Sequence, residues 1–162
     1  MNSGLRRFRS SDAGPLAALT LAAIRVTGPR AYASVQVVAW AARHPGPERF
    51  IASAAKGDTI LVAVDADDMP VAYVLTEADG HLDMLYCHPD HGGRGLGQRL
   101  LADAELEASR LGLTRLFTEA SELARPVFAR AGFALLHRRE FSIPFEGREV
   151  AIHNYAMEKR LG

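Results

Sequence analysis

The stretch from Asp83 to Leu101 constrains this chain more than any other. It joins a strand-like apolar run to a helical pattern through a loop with glycines at 92, 93, 95 and 97. Pro89 closes the strand, and Leu96, Leu100 and Leu101 open an amphipathic helix. Glycine lacks the Cβ that blocks left-handed backbone and close approach, so such a loop can turn several N–H groups inward. The helix behind it adds unpaired first-turn N–H groups and the positive end of its dipole. Strand, loop and helix N-terminus together suit a phosphate or pyrophosphate. The plainer alternative is a flexible surface turn, and the surrounding chain has to decide between the two.

Spacing removes two phosphate-binding patterns. A P-loop ends in Gly-Lys-Ser/Thr, whereas this loop ends in Gly97-Gln98-Arg99. The dinucleotide fingerprint, G-x-G-x-x-G, needs glycine at 98 or at 100, and these are Gln98 and Leu100.

At 162 residues the length fits one domain with one sizeable core. Nineteen basic residues balance nineteen acidic ones, so no global field draws the chain to nucleic acid or a membrane surface. The single cysteine, Cys87, rules out an internal disulfide and a cysteine-based zinc site. No apolar run reaches the length of a membrane span, and Met1 to Phe8 lack the apolar core of a leader. A cytoplasmic protein is the expectation.

Periodicity predicts a first strand at Leu5–Phe8, N-caps among Ser10, Ser11 and Asp12, and a helix stopped by Gly28-Pro29. Two short helices over 34–43 and 47–55 form an insert carrying Tyr32, Trp40 and Phe50, aromatics read as packing. Strands follow at 60–64, 71–75 and 81–87, the last two joined by an Asp79-Gly80 turn. After the glycine loop come a helix closed by Gly112, a strand at 113–118 and a helix over 123–130. Strands at about 134–143 and 149–158 finish the chain around Glu146-Gly147. The order predicts a mixed α/β (α+β) fold over residues 5–160.

The loop, with Gly95 and Gly97 in Gln/Arg-x-x-Gly-x-Gly/Ala spacing, resembles the coenzyme A loop of the GNAT superfamily of N-acetyltransferases. Gly92 stands where that pattern has Gln or Arg, a change that removes a side chain and keeps the backbone donor. Arg130-Ala131-Gly132-Phe133 resembles the family's helix-to-strand close. Glu119-Ala120-Ser121, Ala124-Arg125-Pro126-Val127-Phe128 and the tail from Gly147 through Asn154-Tyr155 to Lys159 resemble the YafP-like branch. Tyr32 and Trp40 have that branch's spacing, although Ser34 and Val35 replace its Pro and Glu.

The resemblance implies a mainly antiparallel, splayed sheet with helices on both faces. It also implies acetyl-CoA as acyl donor, and an acceptor that is a small-molecule amine or a peptide. On that reading Gly92, Gly93, Arg94, Gly95, Leu96, Gly97 and Gln98 hold the pyrophosphate, and Leu85, Tyr86 and Cys87 offer free backbone groups to the pantetheine arm. Ser121 stands where the family often has an asparagine against the cofactor. Phe128 occupies the position, five residues before Phe133, where most members have a tyrosine acid. Phenylalanine donates no proton, so the thiolate leaves unaided or is protonated by another hydroxyl, with Tyr86, Tyr155 and Tyr32 as candidates. Glu119 is the first candidate base, with Asp83 and His81 behind it. His88-Pro89-Asp90-His91 has metal-like spacing and no third ligand, so no metal is expected.

Two functional readings stand. One is an N-acetyltransferase working by direct transfer. The other is a degenerate domain that binds acyl-CoA without turnover, kept open by Gly92 and Phe128. Exposed strand edges and the final hairpin would suit a homodimer.

Overall fold

The computed structural model describes residues 4–162. Residues 1–3, part of the stretch read above for a leader, lie outside them. Seven strands form one sheet: β1 (Gly4–Arg7), β2 (Thr59–Val64), β3 (Pro70–Thr76), β4 (His81–Cys87), β5 (Arg115–Ala120), β6 (Ala134–Phe145) and β7 (Arg148–Arg160). Their order is β1-β2-β3-β4-β5-β7-β6, and every neighbouring pair is antiparallel except β4 with β5. Helices α1 (Ala13–Thr27), α2 (Ser34–Arg43) and α3 (Glu48–Ala55) precede β2, while α4 (Leu96–Arg110) and α5 (Arg125–Arg130) flank β5. No helix among the described residues is long and apolar enough to cross a membrane.

Strand β3 reads Val-Ala-Tyr-Val-Leu without polar alternation because it is central and covered on both faces. Tyr73 and Leu75 pack with Leu16, Leu19 and Phe50 of α1 and α3. Ala72 and Val74, pointing the other way, pack with Leu100 and Leu101 of α4 and with Phe128 of α5. The sheet is the middle layer of three.

The parallel contact between β4 and β5 consists of two residue pairs, His81 with Phe117 and Leu82 with Thr118. Beyond Leu82 the strands part. A bulge accompanies the parting: Leu75 pairs with Met84 but Thr76 pairs with Leu82, so Asp83 is the extra residue on β4. The hydrogen bonds show what it does. The His81 carbonyl accepts from Glu77 on the β3 side, while the Leu82 carbonyl accepts from Thr118 Oγ1 on the β5 side. Past the bulge the sides are exchanged, because His88 N–H donates to the Val71 carbonyl. Alternation then turns the backbone groups of Leu85 and Cys87 toward the gap and those of Tyr86 toward β3.

Two boundaries differ from the periodic reading. The predicted strand at 113–118 begins at Arg115, because Leu113 N–H closes α4 by bonding to the Ala108 carbonyl at 2.9 Å. The N-cap expected from Asp12 is not made. Its carboxylate accepts from Arg9 N–H and pairs with Arg6 instead.

Gly80 anchors the narrow end of the gap. It has φ +95°, and its carbonyl accepts from Phe117 N–H. A Cβ there would lie 2.4 Å from the Arg115 carbonyl oxygen. Gly57 has a similar φ of +98° and open space around it. Gly80→Ala is therefore expected to lose about 2–4 kcal/mol, strain plus clash, against about 1 kcal/mol for Gly57→Ala. Urea midpoints of the two variants check this, and equal losses would show that the Gly80 contact is not tight.

Candidate functional site

The glycine loop follows a short turn of 3-10 helix at Pro89–His91 and leads straight into α4. Gly93 and Gly95 have φ of +73° and +74°, and Gly95 is the residue preceding the helix, with no side-chain cap. The first intrahelical bond runs from Arg99 N–H to the Gly95 carbonyl. The N–H groups of Leu96, Gly97 and Gln98 thus fall in the turn that helix geometry leaves without internal acceptors. Gly97 is needed for a second reason. A Cβ on it would sit 3.0 Å from Val127 Cγ1, and Gln98 donates to the Val127 carbonyl at 2.9 Å. The loop is therefore packed against α5 and is not a loose turn. Arg94 lies beside His91, whose Nδ1 is 3.2 Å away, and is otherwise available to an anion. His88 Nδ1 accepts from Asp90 N–H, so the metal-like tetrad serves the turn.

The gap between β4 and β5 opens into a cleft of about 530 Å³. Leu85 and Tyr86 line one side, Glu119, Ser121 and Phe128 the other. Cys87 and Tyr155 do not line it. The Cys87 thiol is half-buried against the α4 side and pushed up by burial, so it is not a thiolate nucleophile. Phe128 is 2% exposed and meets Phe133 edge-on at 5.1 Å. Ser121 Oγ accepts from Ala124 N–H and sets the turn into α5. The Tyr86 phenol is raised by burial, and its ring lies 6.4 Å from that of Trp40.

Glu119 is fixed by its neighbour. His81 Nε2 lies 2.8 Å from Glu119 Oε1, and His81 Nδ1 lies 2.6 Å from Glu77 Oε1. Burial opposes the imidazolium, but the hydrogen bonds to Glu77 and Glu119 outweigh it and the His81 pKa is raised. Glu119 Oε2 keeps no partner among the described residues. Asp83 is paired with Arg49 at 2.5 Å. Glu77, His81 and Asp83 could cluster around an ion by distance alone, but each already has its hydrogen-bond or ion-pair partner.

Sequence reading missed a network at the mouth of the cleft. Glu122 Oε2 accepts from the Tyr155 hydroxyl and lies 2.7 Å from His153 Nε2. Those hydrogen bonds, from Tyr155 and then His153, lower the Glu122 pKa. The Tyr32 hydroxyl accepts from Glu122 N–H and donates to the His153 carbonyl. Arg125 lies 4.3 Å above the Tyr155 ring. Tyr155 is thus a buried strut whose hydroxyl already donates a hydrogen bond to Glu122. Spacing could not show this, since Glu122 lies 31 and 33 residues from His153 and Tyr155.

Comparison with known proteins follows the same lines. The chain matches the family described as Acetyltransferase (GNAT) domain over residues 30–158. A search of curated proteins returned no match. Among solved structures, it is similar to the GCN5-related N-acetyltransferase from Rhodopseudomonas palustris at 32% identity and TM-score 0.84, covering 99% of this chain and 97% of that one. The PaiA N-acetyltransferase from Thermoplasma acidophilum, solved in complex with coenzyme A, shares the fold at 18% identity and TM-score 0.77, with 99% of each chain covered. With the splayed strands and the glycine loop at their end, these matches place the chain in the GNAT acetyltransferase family.

Proposed function

We propose that this protein is an acetyl-CoA-dependent N-acetyltransferase that moves an acetyl group to a primary amine of a small molecule or peptide, by direct transfer with both substrates bound. The observation that carries the reading is the two-pair contact between β4 and β5, which leaves an unpaired strand edge leading to an uncapped helix N-terminus. The motifs at Glu119–Ser121, Ala124–Phe128 and Gly147–Lys159 support the YafP-like branch within the family.

The residues fit acetyl-CoA. Left-handed backbone at Gly95 turns loop N–H groups to one side, and the Leu85 and Cys87 backbone groups have no strand beside them. When bound, acetyl-CoA supplies an acyl group already activated as a thioester. N–H groups from Gly93 to Gln98 hold its pyrophosphate, and Arg94 adds a charge-assisted bond. The edge at Leu85 and Cys87 takes the pantetheine amides, and an N–H on that edge stabilises charge developing on the carbonyl oxygen. Of the three backbone positions expected to be free, Tyr86 contributes its side chain instead.

Glu119 draws the ammonium form of the acceptor and takes its proton through Oε2, while His81 holds Oε1. Phe128 supplies no acid. A thiol of pKa about 8.5 leaves tolerably without one. Tyr32 and Tyr86 both line the cleft, and the Tyr32 hydroxyl already donates to the His153 carbonyl, which leaves Tyr86 as the candidate hydroxyl. The rival reading, binding without turnover, rests on the same Phe128.

Acetyl-CoA is expected to raise the thermal midpoint, by about 2.7 kcal/mol of stabilisation at a hundredfold excess over Kd, while NAD and ATP leave it unmoved. Thiol release with an amine panel then separates transfer from silent binding. Glu119→Gln should keep the thermal shift and lose about 10²- to 10⁴-fold in kcat; full activity would remove Glu119 as base.

His81 makes a pH prediction whose sign is fixed. Its folded pKa is raised, so the stability it contributes is complete below its unfolded value of about 6.5 and is lost as pH climbs through the folded value. The difference in urea midpoint between wild type and His81→Gln should therefore be largest near pH 6 and shrink toward about pH 9. A difference that grows with pH would show that His81 is neutral in the fold.

A further inference from the structure

We propose that the cleft contains a second, anion-binding subsite between α2 and β6, so that the acceptor carries a carboxylate or similar anionic group as well as its primary amine. This rests on the transfer function proposed above and names the chemistry of its acceptor.

The two walls of the cleft differ in sign. Glu119 stands on the wall built by β5 and β4, where Asp83 is already paired with Arg49, whereas Arg43 and Arg139 belong to the wall built by α2 and β6. Neither of these guanidiniums is neutralised by a carboxylate among the described residues. The exposed Arg43 side chain has no hydrogen bond, ion pair or ring contact among the described residues. Arg139 donates to Asn154 Oδ1 at 2.9 Å and lies 5.4 Å above the Phe141 ring. The adjacent acidic residue, Glu140, faces Arg138 at 3.3 Å. Phe141 connects the two arginines, since it lines both the cleft and the adjoining groove together with Arg43. Arg43 also lies in the last turn of α2, where a cation offsets the helix dipole. That effect does not account for Arg139.

His44 leaves a further polar atom unpaired, near Arg49 and Asp83. It follows Arg43 and lines the same cleft. Its Nδ1 accepts from Gly46 N–H, and burial, with Arg49 nearby, lowers its pKa and keeps the ring neutral. The proton of the neutral ring is then on Nε2, and that atom is buried with no hydrogen-bond partner. An unpaired buried donor is costly and rare, and calls for a ligand, a water or an ion. Two unneutralised guanidiniums thus line one wall of the cleft with no carboxylate on it. An oxyanion in the cleft would neutralise them, and the planar guanidinium fork suits a carboxylate in particular. With the amine drawn to Glu119 at the opposite wall, the cleft selects a molecule that is positive at one end and negative at the other.

The test uses the full chain saturated with coenzyme A. Calorimetry measures binding of free α-amino acids, of the same amino acids as α-amides, and of short C-terminally amidated peptides beginning with Asp or Glu. Thiol release on the same panel, with acetyl-CoA, measures transfer. The expected result is that acids bind about 10- to 100-fold more tightly than their amides. That ratio should fall toward one in Arg139→Gln and Arg43→Gln and recover in part in Arg139→Lys. Preference for the free amino acids assigns the subsite to an α-carboxylate, and preference for the peptides assigns it to an acidic side chain. Amides that bind as well as acids, or a ratio indifferent to both substitutions, would overturn the subsite even if transfer proceeds. Arginine-dependent binding of acids with no thiol release from any acceptor would uphold the subsite and defeat the transferase reading instead.

Discussion

Everything at the site depends on how little of β4 pairs with β5. A parallel pair normally hydrogen-bonds along its length, and an unpaired edge inside a protein leaves polar groups without partners. Here the pairing stops after two residues, with Gly80 pinned against Arg115 at one end and the bulge at Asp83 just beyond. The sheet does not end there, because β5 continues into β7 over six residue pairs. The gap is thus held open by complete strands on both sides. It exposes amide groups in a concave, partly apolar place, where a ligand amide can replace the missing strand. The bulge decides which groups are offered, since without it Tyr86 would face the gap and Leu85 and Cys87 would face β3.

The two flanks of the gap are stiffened differently. On the β4 side the work is done by packing, with Tyr73 wholly buried and Tyr86 against Trp40. On the β5 side, just after the strand ends, Glu122 gathers a tyrosine, a histidine and its own backbone into one hydrogen-bonded knot. Such a knot is valuable only when every member is satisfied. Tyr32 completes it by accepting from one chain segment and donating to another, which ties the loop before α2 to β7. The helical insert is therefore fastened to the far side of the cleft by the Tyr32 hydroxyl.

Much of this was legible in the sequence, and the limits are physical. Period-2 and period-3.6 patterns located the seven strands and five α-helices of the described residues, because β2, β3 and α4 bury continuous or one-sided apolar faces. The loop could be read as an anion cradle because glycine at a helix start has few other uses. Its packing role was hidden, since the contact of Gly97 with Val127 lies 30 residues away. The start of β5 was misplaced because Leu113 looks like a strand residue but spends its N–H on closing α4. The bulge at Asp83 left no mark, as one extra residue in an exposed-buried alternation resembles ordinary irregularity. Long-range polar partners such as Glu122 with His153 leave none either, because nothing local to a glutamate says which strand will lie beside it.

Phe128 shows how the site can lose a proton donor without losing its shape. The ring is nearly fully buried and stacks edge-on with Phe133, so its position is fixed by the packing that closes α5 against the sheet. A hydroxyl added there would be useful only if it reached the cleft, and the ring itself does line it. Packing at this position is thus separable from acid catalysis, and the second can be absent while the first is retained. What the missing hydroxyl changes is the demand on the leaving group. On the proposed transfer, with no acid beside it, the reaction would rely on the intrinsic acidity of the thiol and on how strongly the amine attacks. The wall carrying Glu119 would then be the more important half of the cleft. There His81 holds one oxygen of Glu119 and leaves the other free, so the carboxylate is oriented before an acceptor arrives.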